Sequence, residues 1–238
     1  MNDADVDALR HAREDVLETI AAACARVGRD PAGVDLVAVS KTVDAERLIA
    51  AVAAGLTTLG ENRVQEAEAK VGSVGGATWH LVGPLQSNKA RRALAAFDVI
   101  QSVDSLDLAR RLDRLAPDVR PDDRYPVFLQ VNVDDDAAKA GFGPTALEAA
   151  VAEIVALPGL EVRGLMTIGR LVDRPEDARP TFAALRNLSE HLRVAVPDLG
   201  PALSMGMSAD YAVAVEEGAT TVRVGQAIFG HRPHDHAH

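Results

Sequence analysis

Leu36-Val37-Ala38-Val39-Ser40-Lys41-Thr42 is the stretch on which the reading of this chain turns. The six residues from Val34 to Val39 are short and, Asp35 apart, apolar, the pattern of a strand buried on both faces. The strand stops on a lysine, and Thr42-Val43-Asp44 leads into a helical pattern. A lysine at the carboxyl end of a buried parallel strand stands where α/β folds place their chemistry. An apolar site disfavours its ammonium form and leaves a neutral amine able to attack an aldehyde. The competing reading is a lysine whose stem packs on the rim while its head reaches water.

Outward from this strand, the same rhythm repeats. Strand patterns at 34–41, 57–61, 78–83, 98–103, 126–133, 160–168, 202–207 and 220–224 alternate with helical ones. The helices fall at about 44–54, 62–71, 87–96, 105–115, 144–156, 175–194 and 208–217, with a short terminal segment beyond 226. Before them, residues 3 to 27 form an amphipathic helix with Val6, Leu9, Val16, Leu17, Ile20, Cys24 and Val27 on one face and Gly28 as its C-cap. Eight βα units in series call for a parallel sheet closed on itself. The expected fold is α/β, a single-domain TIM (β/α)8 barrel over residues 1–231 with an extra N-terminal helix, followed by a disordered His-rich tail at 232–238. An open doubly wound sheet is the alternative, but the first strand lacks the glycine-rich turn of a dinucleotide site.

Composition narrows the function. A formal net charge of −10 argues against a nucleic-acid partner held by phosphate contacts. No apolar run approaches the ~20 residues a membrane span needs, and the acidic start Met1-Asn2-Asp3-Ala4-Asp5 is unlike a secretory signal. The single cysteine, Cys24, excludes an internal disulfide and suits a reducing compartment. These features predict a soluble cytoplasmic protein.

Polar residues gather just past the strand patterns: Lys41, Glu61-Asn62, His80, Ser102 and Asp104, Asn132, Ser208, and Arg223 through Gln226. In a barrel these ends share one face. Ser208 is expected to open a helix, so its hydroxyl and the free N–H groups of that turn make an anion site. Gly225 lacks a Cβ and lets backbone approach a ligand. Arg223, inside Thr221-Val222-Arg223-Val224, needs an acceptor for its charged fork or a carboxylate on the outer face. The acidic trio at 134–136 and the four histidines between His231 and His238 have ligand chemistry for a divalent cation, but a solvated loop and a disordered terminus are the expected states.

Val39-Ser40-Lys41-Thr42, Gly60-Glu61-Asn62, Trp79-His80 through Gly83-Pro84-Leu85-Gln86-Ser87-Asn88-Lys89, Gly164-Leu165-Met166, Ser204-Met205-Gly206-Met207-Ser208 and Val222-Arg223-Val224-Gly225 together resemble the pyridoxal phosphate homeostasis protein family. That family is similar to the amino-terminal barrel of alanine racemase standing alone. The resemblance, which runs from about residue 5 to residue 231, implies that Lys41 holds pyridoxal 5′-phosphate as an internal aldimine. It implies further that Ser208, Gly225 and the backbone at Gln226 bind the phosphate, that Arg223 faces the pyridine nitrogen, and that Asn62 lies beside the ring. His80 is the weakest candidate of the set, because a lone strand histidine is commonly a satisfied core group. One departure is Gln226, where the family usually has serine or threonine.

The resemblance leaves carrier and enzyme to be separated. Implied partners are pyridoxal 5′-phosphate, other B6 vitamers and PLP-dependent apoenzymes, with the protein a monomer. An arginine at the pyridine nitrogen keeps that nitrogen neutral, which weakens carbanion stabilisation. Racemisation also needs a base on each face of the substrate carbon. Only two tyrosines are present: Tyr125 at the far end of the fifth strand, and Tyr211, expected three residues into the helix after the seventh. The expectation is a cofactor holder in vitamin B6 homeostasis without efficient turnover; a weakly active racemase and a lysine aldolase on the same barrel are the alternatives.

Overall fold

Short apolar runs too brief for helices pair side by side in the computed structural model, which describes residues 3–170 and 172–230. They are β1 Asp35–Val39, β2 Thr58–Glu61, β3 Thr78–Leu81, β4 Val99–Val103, β5 Tyr125–Gln130, β6 Leu160–Met166, β7 Ala202–Ser204 and β8 Thr221–Val224. Each pairs in parallel with the next, and β8 returns to β1, so the barrel closes without an edge. Parallel neighbours require crossovers, and helices supply them. The crossovers are α2 Ala45–Ala53, α3 Val64–Val71, α4 Ala90–Ala96, α5 Leu106–Leu115, α6 Pro144–Val155, α7 Arg179–Ala195 and α8 Tyr211–Glu216, with α1 Asp3–Arg26 before the first strand and α9 Gln226–Phe229 after the last. The expected TIM barrel with an added N-terminal helix is the observed fold. Residues 231–238, including the His-rich tail, lie outside the described residues. Among the described residues no helix is long and apolar enough to cross a membrane.

α1 buries Val6, Leu9, Val16, Ile20, Ala23 and Cys24 and packs on α2, α8 and α9. It stops where Gly28 adopts φ 68 and the Arg29 N–H returns to the Cys24 carbonyl at 3.0 Å. Val27 was expected on the buried face, but it lies past the last helical residue and is 44% exposed.

Two-residue alternation divides each strand between two compartments. Outward residues such as Ala38, Leu59, Leu81, Ile100, Leu165 and Val222 belong to the main core beneath the helices. Inward residues Val99, Phe128 and Met166, with Ile168 and Ala202, form a separate apolar cluster inside the barrel. Two positions further along β4 and β7 stand Gln101 and Ser204, and β8 carries Arg223, so the lumen turns from apolar to polar toward the carboxyl rim.

The lumen leaves little spare space. Gly164 on β6 has φ 156, and a Cβ there would stand 1.9 Å from the Ala202 carbonyl oxygen on β7. Gly164→Ala should therefore cost about 3 kcal/mol of unfolding free energy, the upper end for overpacking. Urea denaturation checks this, and a variant as stable as the parent would show that β6 and β7 can move apart freely.

Candidate functional site

The carboxyl rim is where the expected site residues are found. β1 ends at Val39, and Lys41 stands on a turn closed by the Val43 N–H bonding the Ser40 carbonyl at 3.0 Å. Thr42 occupies that turn at φ 67, a region a β-branched residue enters at a cost of order 1–3 kcal/mol. The buried, apolar setting expected for Lys41 is not what forms. The residue is exposed, and among the described residues its amine has no hydrogen bond or ion pair. The reason is the turn, which carries the chain off the sheet before the lysine is reached.

Lys41 borders a cavity of ≈ 220 Å³ together with Gly225, Gln226 and Phe229. Gly225 caps α9 and lies close against β1: a Cβ there would be 3.1 Å from the Val39 carbonyl oxygen. Gln226, the first residue of α9, is exposed. Ser208 does not open α8, which begins three residues later with Asp210 as its cap. Its hydroxyl instead accepts hydrogens from Gly225 N at 3.1 Å and Ala227 N at 3.4 Å. Ser208 therefore serves the start of α9, and the Asp210 carboxylate takes the Met207 N–H at 2.6 Å.

Arg223 faces the lumen. Its Nη1 donates to Ser204 Oγ at 2.6 Å and its Nη2 to the Thr167 carbonyl at 2.7 Å. Ser204 Oγ donates to Gln101 Oε1 at 2.6 Å, and Gln101 Nε2 stands 2.7 Å from His80 Nδ1. β4 and β7 are not neighbours, so this chain crosses the barrel's interior. Its direction is set by arginine, which can only donate. Each later member accepts from the one before it, and His80 Nδ1 must accept, leaving a neutral imidazole.

Burial acts the same way on both ends of the chain. It pulls Arg223 down to about 10, still a cation at neutral pH, and His80 down to about 4. No carboxylate lies within ion-pair reach of Arg223 among the described residues; Asp210 acts on it only through its field.

Asn62 follows β2 with its side-chain amide unbonded among the described residues. Its backbone is crossed closely by the β3 loop: a Cβ on Gly83 would fall 2.3 Å from the Asn62 carbonyl oxygen. Of the expected residues, Lys41, Ser208, Gly225 and Gln226 come together around α9, Arg223 and His80 share the lumen chain, and Asn62 stands apart on the rim. Gln101, Ser204 and Thr167 were not anticipated as members of the site. For Gln101 and Ser204 the signal was present, since polar residues at lumen parity in otherwise apolar strands must be bonded inside the barrel; Thr167 joins only through its backbone carbonyl, which no side-chain pattern reveals. Asp134, expected in a solvated loop, is instead an anchor that accepts from Thr181 Oγ1 at 2.6 Å and pairs with Lys139 at 3.5 Å. Glu61 turns away from the rim and is fully buried.

Known proteins match this architecture. The family model described as alanine racemase, N-terminal domain, matches residues 15–233, which places the chain in that class of barrel. The pyridoxal phosphate homeostasis protein of Pseudomonas aeruginosa is 42% identical over 226 residues, covering 91% of this chain and 96% of that one. Its counterpart in Escherichia coli is 38% identical over 238 residues, with 94% and 97% covered. The chain belongs to the pyridoxal phosphate homeostasis protein family. PipY of Synechococcus elongatus, solved with PLP bound, is 42% identical at a TM-score of 0.79, covering 89% of this chain and 100% of that one. Alanine racemase of Corynebacterium glutamicum shares the fold at a TM-score of 0.70 and 17% identity; 98% of this chain aligns with 63% of that one.

The buried histidine gives a pH signature. Its proton binds less readily in the folded state, so its contribution is fully present above about pH 6.5 and is lost as pH falls toward 4. Stability should fall on the order of 3 kcal/mol over that window. His80→Gln should flatten the decline, read by denaturation at a series of pH values. An equally steep decline in the variant would place the titrating group elsewhere.

Proposed function

We propose that this chain binds pyridoxal 5′-phosphate at the carboxyl rim through a Schiff base at Lys41, and holds and hands over the cofactor without efficient turnover. The observation that carries the reading is Arg223. A buried guanidinium with no carboxylate, fixed by two bonds at the polar end of the lumen, suits a neutral acceptor such as a pyridine nitrogen. The membership of the chain in this family, and a relative of 42% identity solved with PLP bound, support the same choice of ligand.

The other groups fit by type. The Lys41 amine is free to attack the aldehyde carbon, forming a C=N bond as water leaves. The Ser208 O–H and the backbone N–H of Gln226 at the start of α9 are donors for the phosphate, and Gly225, without a Cβ, lets it approach; the backbone donor offsets the missing hydroxyl at Gln226. Asn62 offers its unbonded amide to the ring's hydroxyl. His80, the weakest of the cofactor-binding candidates, supports Arg223 through Gln101 and Ser204. Bound pyridoxal 5′-phosphate supplies an electrophilic aldehyde and an electron-withdrawing ring.

A second base is harder to find. Tyr125 starts β5 at the opposite end of the barrel, where its hydroxyl donates to the Phe97 carbonyl at 2.5 Å and burial raises its pKa further. Tyr211 is the first residue of α8, rather than three residues in, and packs partly buried against the core. Tyr125 is therefore not free to take a proton from a substrate, and Tyr211 is placed for packing; this supports a monomeric holder serving PLP-dependent apoenzymes and B6 vitamers over a racemase.

Addition of pyridoxal 5′-phosphate should produce an absorbance band at the visible edge, and borohydride reduction followed by mass analysis should place the pyridoxyl group on Lys41. Lys41→Ala should abolish both; an unmodified Lys41 in saturated protein would overturn the assignment. Ser208→Ala should weaken pyridoxal 5′-phosphate roughly tenfold while leaving pyridoxal unchanged, the loss of one hydrogen bond to a charged group. Rapid alanine racemisation by purified protein would replace the carrier reading with the enzyme.

A further inference from the structure

Directly before Lys41, Ser40 is held on every side. Its N–H donates to the Gly60 carbonyl at 2.8 Å, and its carbonyl accepts from Val43 N at 3.0 Å and from Lys70 Nζ at 3.1 Å. Its hydroxyl lies 2.9 Å from Glu61 Oε1 and 3.2 Å from the Gly60 carbonyl. Lys70 reaches in from α3 and also donates to Glu61 Oε1 at 2.6 Å. The pair is almost wholly removed from water, with the Lys70 and Glu61 side chains 11% and 0% exposed, and among the described residues Glu61 Oε2 has no hydrogen-bond partner. Glu66 on α3 is the other carboxylate whose field reaches Glu61.

An ion pair buried in this state is a poor source of stability, because desolvation offsets its attraction and one carboxylate oxygen goes unsatisfied. What it fixes is geometry. The free Lys41 amine has no bond of its own to aim it, so its direction comes from the backbone behind it. That backbone includes Thr42 at φ 67, which relaxes unless its neighbours are clamped. The same pair answers a question of selectivity. Lys70 is a second amine beside the Lys41 turn, and an ammonium whose hydrogens go to a carboxylate and a carbonyl has no lone pair to offer an aldehyde.

We propose that Glu61 and Lys70 are positioning residues for Lys41: they clamp the Ser40 carbonyl so that the Lys41 amine points into the site, and Glu61 withholds the Lys70 amine from the aldehyde. This rests on Lys41 being the Schiff-base lysine. The test compares Glu61→Gln, Lys70→Met and Lys70→Arg with the parent, using pyridoxal 5′-phosphate itself as probe. Two readouts are taken: the site of the borohydride-fixed label by mass analysis, and the rate at which hydroxylamine strips the unreduced cofactor.

Lys70→Met should speed stripping roughly tenfold or more, the scale of a misplaced reacting group, while Lys70→Arg, which keeps a cationic donor, returns it toward the parent rate. Glu61→Gln should move a detectable share of label onto Lys70. Should a single variant fail to fold, Glu61→Gln/Lys70→Met leaves no unpaired buried charge and is read for stripping rate instead. Parent stripping rates in these variants, with all label on Lys41, overturn the proposal even if thermal stability falls. A parent protein unlabelled at Lys41 instead overturns the Schiff-base reading, and this one with it.

Discussion

A guanidinium buried without a carboxylate sets the conditions for the rest of the lumen. Arg223 can only donate, and the apolar floor of Val99, Phe128 and Met166 offers it nothing. Its hydrogens go sideways to Ser204 and Thr167, and the demand passes through Gln101 to His80. A protonated His80 would present an N–H to the Gln101 amide N–H, and turning that amide would take away the oxygen that accepts from the Ser204 hydroxyl. The network as it stands suits a neutral His80, which fits the depressed pKa of the histidine. A polar layer this determined holds the Arg223 cation at the polar end of the lumen.

Around that mouth, the reactive amine is positioned by a turn. Lys41 is exposed, as in the reading that lets its head reach water, and the buried lysine nearby is Lys70. The division is consistent: charge is confined where hydrogen bonds can hold it, and the amine left free is the one that faces the cavity beside Gly225 and Gln226.

The barrel was legible because eight apolar runs alternate with helical periodicity, and the closure from β8 to β1 repeats the pairing rule of the other strands. The helix after β7 was misplaced for a physical reason. A serine just past a strand reads as an N-cap, and nothing local reveals that the hydroxyl of Ser208 is claimed by α9, 17 residues later. Val27 was misjudged because periodicity does not stop where a helix stops. Gln101, Ser204 and Thr167 went unnoticed because a polar residue in a strand can face the lumen, the rim or a helix. Only the cross-barrel contact decides between them. Glu61 shows the converse: read as a rim residue from its place at a strand end, it turns outward to meet Lys70 on α3.

Exposure of the reactive amine bears on what kind of protein such a site makes. Catalysis on a Schiff base gains from a closed, dry pocket that shields carbanions from water and strengthens every dipole in it. Transfer of a cofactor gains from the opposite arrangement, because the incoming amine or water must reach the carbon bonded to the lysine. On the reading proposed above, a lysine on an exposed turn, anchored behind by a clamped backbone, would leave the carbon bonded to it with little cover. Binding strength and accessibility would then come from different parts of the molecule: the lumen and α9 would set how tightly the ligand is held, and the β1 turn how readily it leaves.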